Sequence, residues 1–232
     1  MLTNGQFVIF TTYRFYMAKR AQTLKEEVAN ALTHALGVVF CLVGVPVMVL
    51  YAWQTSNVAT VWAVAIFGFG MLMVYLSSTL YHYAKNTEIK RRLRIWDHIS
   101  IFLLIAGTYT PMVVKYTDTK TSFIFLSIMW GIVALGSFMK IFYTGKYNIL
   151  SVLLYVAMGW MAIFIIKPMV ANIPFQVLYL LAAGGAAYML GVVFYLWHKL
   201  QYHHAIWHVF VLTGTVIHFF AVYNSIPINI KL

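Results

Sequence analysis

Long apolar runs separated by short polar breaks organise almost the whole chain. Seven stand out: Val28 to Trp53, Val61 to Tyr83, Trp96 to Val114, Ser122 to Phe142, Ile149 to Ile166, Phe175 to Trp197 and Ala205 to Tyr223. A bilayer core needs about 20 apolar residues in a helix, so each run can cross once. Between them, TDTK at 117–120, TGKYN at 144–148 and the stretch from Lys167-Pro168 to Pro174 read as turns or breakers. NTEIKRRLR at 86–94 reads as a charged connection. The pattern predicts an all-α polytopic membrane protein with seven transmembrane helices. Residues 27–223 form its membrane domain, 1–26 an N-terminal arm and 224–232 a short tail. Aromatic and apolar residues of the arm, Phe7 to Phe10 with Tyr13, Phe15 and Tyr16, alternate with Arg14, Lys19 and Arg20, which suits either an interfacial segment or a disordered tail with aromatic anchors.

Composition narrows the class. Of 232 residues, 62% are hydrophobic and only 9% charged, against roughly a quarter charged in soluble domains. No separate soluble domain fits. Sixteen Lys and Arg face five acids, for a net charge of +11. In a soluble protein that excess would suggest nucleic acid. In a membrane protein it marks cytoplasmic loops in contact with anionic lipid headgroups, and no nucleic-acid partner is expected. One side of the membrane would carry Arg14, Lys19, Arg20, Lys25, Lys85, Lys90, Arg91, Arg92, Arg94, Lys140, Lys146 and Lys199, the other only Lys115, Lys120, Lys167 and Lys231. The positive-inside rule then places the N-terminus in the cytoplasm and the C-terminus outside, in the cell inner membrane. The start has no basic region before its short apolar stretch and no small-residue cleavage site, so the first span is expected to direct insertion. Cys41 is the only cysteine, which excludes an intrachain disulfide and argues against a thiolate zinc site. The last span has no lysine for a retinal Schiff base.

Other short motifs have structural readings. G-F-G at 68–70 lacks the third glycine and the preceding strand of a dinucleotide loop. With A-A-G-G-A-A at 182–187 it suits close helix approach. Pro46 and Pro111 fall inside spans and predict kinks.

Polar groups inside a membrane are costly, so their placement points to function. Glu27, Asn30 and His34 open span one, Ser78 and His82 close span two, Asp97 and His98 open span three, and His204 and His208 open span seven. All lie at the expected cytoplasmic end. His204 and His208 are four apart, on one helix face, and can chelate one ion; Ser78 and His82 repeat that spacing. Three neutral imidazoles, His82, His204 and His208, with an open fourth position match catalytic zinc, with Asp97 as the nearby base or outer ligand partner. A lone histidine pair near an interface is more often a headgroup contact, so the convergence carries the reading. His98 and His203 are expected at the interface, His198 in solvent or at headgroups, and His218, about 15 Å from His208 along the helix, as a buried hydrogen-bonded residue. Glu27 and His34 share a stripe and complete a polar network or pair with backbone and water.

The ordered set E-x-x-N-x-x-T-H at 27–34, S-S-T-L-Y-H at 77–82, W-D-H at 96–98, L-L-I-A-G-T-Y-T-P at 103–111, H-A-I-W-H at 204–208 and G-x-x-x-H-F at 214–219 resembles the bacterial hemolysin III family. That family is grouped with the progestin and adipoQ receptors and, more distantly, the alkaline ceramidases. The resemblance spans about Glu26 to Tyr223. It implies seven helices with a cytoplasmic N-terminus, zinc on His82, His204 and His208, and Ser78 and Asp97 near the zinc-bound water. Two functions fit. One is a zinc-dependent hydrolase of a lipid amide or ester, with Asp97 and Ser78 catalytic. The other is a non-enzymatic lipid or membrane-state sensor, or a pore-forming factor, in which zinc is structural. In both the partner is a membrane lipid; the oligomeric state is open.

Overall fold

The computed structural model describes residues 21–226. Most of the N-terminal arm and residues 227–232 of the tail lie outside the described residues. Eight α-helices build seven spans: α1 Leu24–Thr55, α2 Val58–Tyr83, α3 Thr87–Tyr116, α4 Thr119–Tyr143, α5 Asn148–Gly159, α6 Ile166–Asn172, α7 Phe175–Leu196 and α8 His203–Ser225. A short 3-10 turn, Met161–Ile165, joins α5 to α6 within the fifth span. Each span is long and apolar enough to cross a bilayer, and the described chain contains no strand. The protein is thus a multi-pass membrane protein.

Two expected breaks are helical. The charged run at 86–94 forms the first turns of α3. Asn86 accepts from the Glu88 and Ile89 amides, and Glu88 pairs with Arg91 and Arg92 three and four residues on. Such an N-cap and i, i+3/i+4 pairs stabilise a polar helix start outside the apolar core. The fifth span continues past Ile166 because Pro168 sits in the first turn of α6, where its missing N–H has no helical partner to lose. Pro46 and Pro111 lie inside α1 and α3 without ending them.

α3 is the central helix, packing on α2, α4, α5, α6 and α8, while α1 bridges α2 and α8 and α7 lies against α8. Phe67, Met71, Tyr75, Phe102, Met112 and Met129 fill the core. Large apolar side chains such as Leu42, Leu135, Phe164 and Phe175 are exposed on the outer surface, as a lipid-facing surface requires. Lipid gives helices little hydrophobic reason to associate, so close backbone contact matters. A Cβ on Gly70 would lie 2.8 Å from the Leu103 carbonyl oxygen, and one on Gly184 would lie 3.1 Å from that of Gly214 and would overlap His218. The two glycine motifs therefore let α2 approach α3 and α7 approach α8.

The strongly basic stretch at the start of α3 lies at the same end of the bundle as the starts of α1 and α8 and the end of α2. We call this the basic end.

Candidate metal centre

The first turns of α1 organise the basic end. Thr23 and Glu26 form a reciprocal capping box, which satisfies otherwise unpaired helix-start amides. The Glu26 carboxylate also accepts from the Tyr202 amide at 3.0 Å. Tyr202 has a left-handed backbone (φ 57°) just before α8, a costly conformation for a non-glycine residue that surrounding contacts must hold. Glu26 thus ties the start of α1 to the start of α8, the helix that carries His204 and His208.

Three residues further along the same face reach the histidines. Glu27 accepts from His82 Nδ1 at 2.8 Å and pairs with Lys90 at 3.0 Å. His208 Nδ1 lies 3.1 Å from the Asn30 carbonyl oxygen and 3.3 Å from the Thr33 hydroxyl. With each Nδ1–H engaged in this way, each Nε2 carries the free lone pair. Both Nε2 atoms are buried and have no hydrogen-bond partner among the described residues.

The two histidines belong to a cluster. His82, His204 and His208 each offer a ligand atom, and these atoms all lie within 4.8 Å of one another. The ring planes are inclined to each other by 61° for His82 with His204, 68° for His82 with His208 and 61° for His204 with His208. A tetrahedral ion with metal–nitrogen bonds of about 2.0–2.1 Å asks for nitrogens about 3.4 Å apart, a separation that small side-chain rotations can reach. A carboxylate or carbonyl behind each imidazole is the usual support for such ligands. Donor type, burial and the orphaned Nε2 atoms all fit a metal ion.

His34 is not a fourth donor to the same ion. Its ring stacks on His208 with centroids 3.6 Å apart and planes within 17°, so the in-plane lone pairs of the two rings run in parallel planes and do not converge. It forms a wall between His208 and Tyr75, which meets it edge-on. The network reading of Glu27 holds through its bond to His82.

Asp97 and Ser78 are buried beside the cluster. The Ser78 hydroxyl faces the Asp97 carboxyl, outside strict hydrogen-bond geometry. Ser77 donates to Ser100, and Ser100 donates to the Asp97 carbonyl, which fixes α2 against α3 at this level. Sequence spacing brought Asn30 to this end with Glu27 and His34 but passed over Glu26 and Thr33 as supporting groups. The signal for Thr33 was present, since 27, 30, 33 and 34 follow one helical stripe.

The other histidines divide. His218 is buried, with Nε2 3.0 Å from the Leu181 carbonyl oxygen, as expected. His203, in the first turn of α8, is buried with Nδ1 3.2 Å from the Phe194 carbonyl oxygen. Its position one residue before His204 turns it toward α7, which closes over it.

Comparison with known proteins gives the family. Residues 22–219 match the family model described as "Haemolysin-III related". The chain is 41% identical over 203 residues to "Hemolysin-3 homolog" of Bacillus subtilis (strain 168), covering 86% of this chain and 94% of that one. It is 37% identical over 206 residues to "Hemolysin-3" of Bacillus cereus, covering 89% and 94%. It is also 27% identical over 208 residues to the human "Monocyte to macrophage differentiation factor", covering 87% and 85%, in keeping with a superfamily that extends beyond bacteria. With the histidine cluster and the residues that hold it inside the matched span, the chain belongs to the haemolysin III family.

Proposed function

We propose that the protein is a zinc-dependent intramembrane hydrolase of a lipid amide or ester, with His82, His204 and His208 as zinc ligands. The supporting observation is the three-imidazole cluster, with the His82 and His208 rings held by hydrogen bonds and with Asp97 and Ser78 beside it but outside it. Three protein ligands leave a position for water or substrate, the pattern of catalytic rather than structural zinc. Zinc bound there would polarise a carbonyl and lower the pKa of a water. Asp97 would accept the proton of the attacking water and return it to the leaving group. Ser78 would donate a hydrogen bond to the substrate oxygen on which charge develops. Glu27 and the Asn30 carbonyl hold the His82 and His208 rings in the tautomer that points Nε2 inward.

The basic end faces the cytoplasm of the inner membrane in this reading. A reporter active only outside the cytoplasm should work after Leu232 and fail within 86–94, and the reverse pattern would overturn the orientation.

The deciding experiment is Asp97→Asn, with zinc and lipid turnover measured on one sample. Asparagine keeps the shape and removes the base, so zinc is retained while turnover of added amide and ester lipids is lost. If Asp97→Asn and Ser78→Ala both retain zinc and full cellular function, the hydrolase falls and a zinc-stapled sensor or pore takes its place.

A further inference from the structure

Lys140 is a basic residue that the hydrolytic scheme does not use. It lies in the last turn of α4 and is only 3% exposed. Its ammonium forms no hydrogen bond or ion pair among the described residues. A buried unpaired cation is costly, and within a membrane span it marks a site of function.

Its position follows from the packing of α4 on α3. Phe125, Met129, Val133, Gly136 and Lys140 form the buried stripe of α4. Trp130 reaches Thr110, Gly136 abuts the Phe102 ring, and Gly145 abuts the Arg94 guanidinium. This antiparallel register places Lys140 level with Asp97 and His98, and Lys140 interacts electrostatically with Asp97, the acid beside the histidine cluster. Arg94 is one turn before Asp97 on the same face of α3. It too lacks an ion-pair partner among the described residues, and it interacts electrostatically with both Asp97 and Lys140. Two cations therefore share one acid, and their mutual repulsion would be relieved by an anion between them.

Arg and Lys together suit a phosphate, the first as a fork of donors and the second as a point charge. Arg94 is partly exposed, so a headgroup would meet it first, and Phe138, Ile141 and Phe142 on α4 with Ile149, Leu150 and Leu153 on α5 expose apolar side chains near this end of the two helices. We propose that Arg94 and Lys140 receive the phosphate of an anionic lipid headgroup next to the metal centre, so that the lipid acted upon is anionic; this rests on the reading as a lipid hydrolase.

The test uses full-length protein in nanodiscs of phosphatidylcholine with a minor share of phosphatidylglycerol, with the lipids retained on release counted by native mass spectrometry. Wild type should retain phosphatidylglycerol in preference, and Lys140→Met or Arg94→Gln should each lower that preference about tenfold, on the scale of one charge-assisted contact. Lys140→Arg should keep it. Lys146→Gln, at an exposed position nearby, should leave it unchanged. Zinc content and thermal unfolding verify that each variant is folded. Retained preference in both Lys140→Met and Arg94→Gln would overturn the site. If inorganic phosphate alone raises the unfolding temperature of lipid-depleted wild type but not of Lys140→Met, the occupant is a free ion and the lipid assignment falls. Headgroup preference without turnover of any lipid would defeat the hydrolase and leave the headgroup site standing. Turnover of neutral lipid without headgroup preference would do the opposite.

Discussion

The two ends of the bundle use similar polar residues in different ways. Away from the basic end, Asn57 accepts from the Thr60 amide at 2.9 Å, and Asp118 accepts from the Thr121 amide at 3.0 Å and its hydroxyl at 2.6 Å. Each serves the helix it begins. At the basic end, Glu27 reaches His82 on α2, and the carbonyl of Asn30 and the hydroxyl of Thr33 meet His208 on α8. Besides its own helix caps, the basic end has long-range bonds that position imidazoles on other helices and leave the Nε2 atoms of His82 and His208 unpaired among the described residues. A groove of about 840 Å³ does open at the far end, between Asn57, Lys115, Ser122 and Trp130. Its Asn57 and Ser122 already have partners within or beside their own helices. The difference teaches that a polar residue near a membrane interface is informative when its partner is distant in sequence and one of its atoms remains unused.

The strongest way to break this contrast is to remove the inner nitrogens. The double substitution His204→Ala and His208→Ala should reduce zinc in the purified protein to below about a tenth of wild type, because one imidazole alone binds weakly. His218→Ala should not change it. Unaltered zinc in the double variant, measured by elemental analysis, would leave the cluster without its assignment.

Removing outer support should have a smaller effect. Glu27→Gln keeps a hydrogen-bond acceptor but loses the charge on which the His82 Nδ1–H rests, and should weaken zinc about 10–100-fold in a chelator competition. Equal affinity in wild type and variant would show that Glu27 only pairs with Lys90.

The smallest effects belong to the far end. Asn57→Ala should cost about 1 kcal/mol of stability, the usual share of an N-cap, and leave zinc affinity unchanged. For Asp118, the Thr121 hydroxyl and amide hold the carboxyl below the usual carboxylate range. A depressed native pKa means that this cap contributes fully above the unfolded pKa and is lost as pH falls through the native one. The stability gap between wild type and Asp118→Ala should therefore close on acidification. If either far-end substitution weakens zinc as much as Glu27→Gln does, the division between the two ends fails.

Much of this was legible along the chain because it depends on periods and runs. Seven apolar stretches of bilayer length become seven helical spans, and the i, i+4 spacings of Ser78 with His82 and of His204 with His208 place each pair on one face. The convergence of polar groups at one end needed only the alternation of spans. Where local chemistry competed, hydropathy alone misplaced the boundary: a cap and three close charges make 86–94 helical, and Pro168 falls where a helix tolerates it.

Tertiary structure decided the rest, since contacts between residues far apart in sequence depend on which helices are neighbours and how they are rotated. Hydropathy carries neither. It took packing to put Glu27 behind His82 and Asn30 behind His208, to stack His34 flat on His208 so that the two cannot share one metal ion, and to turn His203 toward α7. The same is true of Lys140, which the sequence presents as one more basic residue near a helix end. Only the register of α4 on α3, with Gly136 set against the Phe102 ring, buries it near Asp97.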